Sequence, residues 1–301
     1  MTKGHDSKDL LTAGASDAPV ALICGNGTLP LQVLNGLRRS GREAFIIAIK
    51  GEADEALRVQ SAVELGWGEI GRLFKVMAAA KCREVVLIGG ISKRPDFTSI
   101  IGDLGTLRRL PRIIRALAGG DDSLLTKVIG LIEEEGFRVV GIKDVAPDLL
   151  AGPGSLGAVK PRAEDLKDMV LALEAARRLG DLDIGQAAVA LGGRVIAVEG
   201  AEGTDAMLAR CAELRQNGRV RAKGRLGVLV KTVKPGQDLR VDLPAVGPKT
   251  IERALAAGFA GIAVEAGGAL IAEREATITA ADKAGLFVYG LNPQESSGDA
   301  E

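Results

Sequence analysis

From Pro19 to Gly90, short β-branched apolar runs alternate with longer amphipathic segments: V-A-L-I-C-G, then L-P-L-Q-V-L-N-G-L-R-R-S-G, then E-A-F-I-I-A-I-K. An apolar run of this length suits a strand covered on both faces, and an amphipathic run suits a helix lying on such a sheet. The alternation therefore confines this part of the chain to βαβ units around a mostly parallel sheet. It continues with a helix over 69–82, a strand over 84–91, and a helix from Asp121 or Asp122 as N-cap to Gly136 past its end, followed by strand F-R-V-V-G-I. The first half reads as a Rossmann-like α/β domain.

At 301 residues the chain exceeds one ordinary hydrophobic core, so two domains are expected. Residues 149–162, L-L-A-G-P-G-S-L-G-A-V-K-P-R, concentrate Gly and Pro without apolar periodicity. The expected division is a disordered tail over 1–18, an N-terminal domain over 19–150, a linker over 151–162 and a second α/β domain over 163–301. In that second half, Leu166, Met169, Val170 and Leu173 are expected on one helix face. Gly192-Gly193 is expected to turn a hairpin, because glycine tolerates positive φ.

Composition excludes several chemistries. The only histidine is His5, in a polar tail, so catalytic triads and two-histidine metal sites are not expected. Cys24, Cys82 and Cys211 form no C-x-x-C pair and read as buried thiols of a cytosolic protein. Lys plus Arg balances Asp plus Glu at 39 each and aromatics are 3%, which argues against a nucleic-acid partner. No signal peptide or membrane span is expected.

Four motifs remain. G-N-G-T-L-P, with Gly25, Asn26 and Gly27, follows a strand and opens a helix, where backbone N–H groups could meet a phosphate or sugar; a plain tight turn reads the same way. V-E-G-A-E-G-T-D-A-M-L sets Glu199, Glu202 and Asp205 around one strand-to-helix turn opened by Thr204, more carboxylates than helix capping requires. In K-P-G-Q-D-L-R-V-D-L-P, period-2 alternation puts Asp238, Arg240 and Asp242 on one strand face, near Lys231 and Lys234. A solvated edge strand fits that pattern, and so does a magnesium phosphate site. R-R-L-P-R-I-I-R-A-L-A over 108–118 reads as a short basic amphipathic helix, suited to an anionic bilayer surface or to ordinary packing.

These motifs, with L-D-I-G-Q-A around Gln186, G-I-A-V-E-A-G and S-K-R-P-D-F from Ser92, resemble the UDP-2,3-diacylglucosamine pyrophosphatases of the lipid A pathway, of the type found in alphaproteobacteria. The resemblance runs from about Val20 to Pro293, with Lys93 standing where S-R-P-D-F is expected. It implies hydrolysis of UDP-2,3-diacylglucosamine to UMP and 2,3-diacylglucosamine 1-phosphate, with Mg2+ or alternatively Mn2+, by water attack at the α-phosphorus. It also implies a glycolipid held between two domains, peripheral contact with the cytoplasmic face of the inner membrane, and a homodimer as one state. Asp242 is expected as metal ligand or water-orienting base, with Glu202 and Asp205 as further metal ligands. Lys231, Lys234 and Arg240 are expected to meet phosphate charge, and Gln186, Thr204, Gly25, Asn26 and Gly27 to contact substrate. A nucleotide-dependent oxidoreductase or epimerase, and a non-catalytic lipid or nucleotide-sugar binder, are the rival readings.

Overall fold

A computed structural model describes residues 18–92, 121–221 and 224–292. The expected tail, the basic segment over 108–118 and the S-K-R-P-D-F motif beyond Ser92 lie outside the described residues, as do the side chains at Asp121 and Asp122.

The first half runs β1 (Val20–Cys24), α1 (Leu29–Arg39), β2 (Ala44–Ile49), α2 (Glu55–Arg58), β3 (Val63–Leu65), α3 (Ile70–Ala79), β4 (Glu84–Ile88), α4 (Asp121–Glu134) and β5 (Arg138–Val139). Its strands pair in the order β3-β2-β1-β4-β5, all parallel. β1 is buried along its whole length, which is why its sequence is a continuous apolar run rather than an alternating one. Val33, Leu34 and Leu37 of α1 close one face, and Phe74 and Met77 of α3 pack on the other. Pro30 sits in the first turn of α1, where its missing N–H breaks no helical bond. The order reverses between β1 and β4, so the crevice at their C-terminal ends is the topological switch point where open α/β sheets take ligands. The backbones close in there: a Cβ on Gly25 would stand 2.2 Å from the Gly90 carbonyl oxygen.

After α5 (Ile142–Val145), the second half carries β6 (Gly154–Ser155), α6 (Ala163–Asp181), β7 (Ala187–Ala190), β8 (Val195–Val198), α7 (Gly203–Gln216), β9 (Val228–Lys231), β10 (Ala245–Val246), α8 (Pro248–Ala256), β11 (Gly261–Glu265), β12 (Leu270–Ile271), α9 (Arg274–Ala284) and β13 (Phe287–Leu291). Its main sheet has the order β6-β13-β11-β9-β7-β8, with β9, β11 and β13 parallel and both edges antiparallel. Gly192 and Gly193 take φ of 59° and 76° in the β7–β8 turn, and the buried Asp168 of α6 accepts both their N–H groups. On α6, Met169 and Leu173 are buried, but Leu166 and Val170 are 42% and 59% exposed. The four apolar positions therefore do not form one buried stripe.

The Gly/Pro segment after Leu150 is built into the second half. Ala151 joins its core, β6 pairs with β13, and the Asp282 carboxylate accepts the Ala158 and Val159 N–H groups. The halves share apolar packing, since Leu270 lies in the cluster of Val20, Leu22 and Leu149. Polar ties cross as well: Arg274 donates to the Leu150 carbonyl, and Thr28 donates to Glu273, whose own N–H donates to Gln32.

Candidate active site

The C-terminal ends of the parallel strands in the second sheet carry the polar groups. Register places Lys231 of β9 beside Ala187 of β7 and Val264 of β11, so Gln186, Glu199, Thr232 and Glu265 gather at one sheet end. The Glu199 carboxylate accepts the Gln186 N–H at 3.1 Å through Oε2 and the Thr204 hydroxyl at 2.7 Å through Oε1. Thr232 donates to Glu265 Oε2 at 2.5 Å. Lys231, only 8% exposed, donates from Nζ to the Ala245 carbonyl at 3.2 Å. Burial pushes its pKa below the ordinary lysine range, against the opposing charges of Glu199 and Asp205.

The stretch from Lys234 to Pro244 is not a strand. It folds as two turns, with the Val241 and Asp242 N–H groups returning to the Asp238 carbonyl. Pro235-Gly236 starts the first turn, Gly236 taking φ of 80°, and the Asp238 carboxylate accepts the Arg240 N–H in the second, a local bond that competes with strand pairing. Asp238, Arg240 and Asp242 therefore do not share a strand face. Arg240 is gripped by Asp238 and reaches the first half, donating to Glu133 at 2.7 Å and towards the Val139 carbonyl; it ties the halves together. Asp242 accepts from Gln237 Nε2. Gln237 in turn accepts the Lys234 N–H, and Lys234 Nζ pairs with Asp183 at 2.9 Å.

The three expected metal ligands each have a partner of their own: Glu202 pairs with Arg210, Asp205 with Arg253, and Asp242 with Gln237. Among the described residues no group of three His, Cys, Asp or Glu is arranged to hold a metal ion. Glu202, Asp205 and Asp242 thus do not form a protein-built cage.

At the switch point of the first sheet, the Gly25 N–H donates to Ile88, the Asn26 N–H to Gly90 and the Gly27 N–H to the Asp54 carboxylate. All three N–H groups have acceptors within the protein, as a tight turn would provide. The Asn26 side chain donates to Glu52 and Ser92. Sequence reasoning did not select Thr232, Gln237, Asp183 or Glu265. Thr232, Asp183 and Glu265 have partners from other strands or loops, Gln237 depends on how its own turns fold, and only Glu265, ending an apolar strand, carried a local signal.

These features define a two-domain α/β protein with a Rossmann-type first half and, at the strand ends of the second, a lysine and carboxylate site without histidine. Residues 19–149 match the LpxI N-terminal domain and residues 152–289 the LpxI C-terminal domain. The chain is 45% identical over 276 residues, 92% of its length and 98% of the relative's, to the UDP-2,3-diacylglucosamine pyrophosphatase LpxI of Caulobacter vibrioides. It belongs to the LpxI family.

Proposed function

We propose that this protein hydrolyses UDP-2,3-diacylglucosamine to UMP and 2,3-diacylglucosamine 1-phosphate in lipid A biosynthesis. The support is the near full-length similarity to a protein of that name, together with the buried Lys231 side chain near hydroxyl and carboxylate groups at the C-terminal end of the second sheet's parallel strands. Water forms a bond to the α-phosphorus while the bond from that phosphorus to the bridging oxygen breaks. The bridging oxygen leaves on the β-phosphorus as part of the sugar 1-phosphate.

Lys231 and Lys234 meet charge on the diphosphate, and Asp242, fixed by Gln237, orients the water. Carboxylate oxygens suit a hard cation, and magnesium is usually held by one or two carboxylates plus substrate phosphates rather than by a cage. Asp242 with the diphosphate oxygens would hold it, and manganese could take its place. When bound, it supplies neutralisation of phosphate charge. No helix among the described residues is long and apolar enough to cross a membrane, and the acyl chains bring the enzyme to the cytoplasmic bilayer surface.

Asp242→Ala is expected to lower kcat by about a hundredfold or more with the thermal midpoint unchanged, measured by UMP release. Excess chelator should abolish turnover and added magnesium restore it. Parent-level turnover by Asp242→Ala would remove Asp242 from the mechanism, and full activity in chelator would remove the metal.

A further inference from the structure

Glu199 is the most enclosed carboxylate at the site, 7% exposed, and it joins three elements. It follows β8 directly, accepts the backbone N–H of Gln186 at the start of β7, and accepts the hydroxyl of Thr204 in the first turn of α7. Its backbone is pinned too: its N–H donates to Ala187, and a Cβ on Gly185 would lie 2.4 Å from its carbonyl oxygen. Each carboxylate oxygen thus accepts from a protein donor, which fixes the orientation of the Glu199 side chain. Beside it, Gln186 Oε1 is buried without a hydrogen-bond partner, an unmet acceptor that points to a ligand donor.

We propose that Glu199 is a positioning residue for the diphosphate reaction, holding the Lys231 ammonium, the Thr204 hydroxyl and the Gln186 side chain in one array facing the substrate. The inference rests on the proposed hydrolase reading. Its electrostatic part follows from the charges around Lys231. Glu199 beyond β8 and Asp205 on α7 oppose the effect of burial on the lysine. Asp205 is itself paired with Arg253 of α8, and Glu265 at the end of β11 is bonded to Thr232. Asp168 of α6 is engaged by the hairpin amides at the opposite sheet end. Of the two anions that act on Lys231, Asp205 has Arg253 as a cationic partner and Glu199 has none among the described ion pairs.

Glu199→Gln isolates this role. The new amide can accept from Gln186 and donate to the Thr204 oxygen, so the hydrogen bonds survive and only the charge is lost. Removing a nearby anion lowers an ammonium pKa. The variant is expected to lose about tenfold or more in kcat with KM within about threefold, and the alkaline limb of its kcat profile should move down by about one pH unit. Thr204→Val keeps the charge and loosens the array; it should lose about fivefold in kcat with the limb unmoved. Parent-like kcat and alkaline limb in Glu199→Gln would overturn the inference. If that variant does not fold, parent-like kcat in Thr204→Val would do so. Failure of the parent enzyme to release UMP would instead overturn the proposed function, which keeps the two failures apart.

Discussion

Single residues in this protein take their roles from partners far away in the chain. Glu84 is an example: buried at the edge of β4, it bonds both Arg42 and Arg138. Burial would raise its pKa, but the bonds from Arg138 and Arg42 outweigh that and hold it below the usual carboxylate value. A carboxylate with a depressed folded pKa stabilises above its unfolded value, 4.5, and loses that contribution as pH falls through the folded one. Glu84→Gln should therefore cost about 2 kcal/mol at neutral pH, discounted because Arg138 is mostly exposed. Thermal melts at descending pH should show the gap to the parent closing below 4.5; a gap that stays constant to low pH would contradict the ion-pair account. Asp242 and Glu199 likewise take their settings from hydrogen-bond partners, Gln237 for the one and Gln186 and Thr204 for the other. Their residue types were readable as chemistry in the sequence, but Gln237 as the holder of Asp242 became visible only with the turns after Lys234, and the Gln186–Glu199–Thr204 bridge only once β7, β8 and α7 were brought together.

At the scale of elements, legibility followed burial. β1, β2 and β4 are short apolar runs and read as strands because they are covered on both faces. α9 was not legible, since it buries only Thr277 and Ala281 and so writes no apolar stripe. The Lys234 to Pro244 stretch misled for a physical reason: alternating Leu, Val and charged residues mimic a strand, while Pro235-Gly236 and the Asp238 side chain bend the backbone into turns. Arg240→Ala should release the second turn from Asp238 and Glu133. Amide exchange at Val241 and Asp242 should then speed by about fivefold, a loss of about 1 kcal/mol; unchanged exchange would mean that the turn stands without Arg240. At the switch point, Gly25→Ala would drive a methyl into the Gly90 carbonyl and should lower stability by about 2 kcal/mol or more in denaturant melts. A silent substitution there would show that β1 and β4 do not approach as closely as described.

The whole molecule divides labour between two sheets. The first is a five-stranded parallel platform whose glycine turn is closed by its own carbonyls and by Asp54. The second carries the lysines and carboxylates, and shared apolar packing at Leu270 with the Arg240–Glu133 tie holds the two together. The division into two α/β halves was legible from alternation and length, and the motifs with lysines and carboxylates already pointed to the second half; the acceptors of the glycine-turn N–H groups were not legible, because backbone partners leave no trace in a motif. In the proposed reaction, groups at this end of the second sheet direct water onto the α-phosphorus of a UDP-linked glycolipid. Hydrolysis of UDP-2,3-diacylglucosamine in water enriched in heavy oxygen, with both products weighed by mass spectrometry, tests it most directly. The label is expected in the phosphate of UMP and not in 2,3-diacylglucosamine 1-phosphate; label in the sugar phosphate, or no release of UMP, would contradict attack at the α-phosphorus.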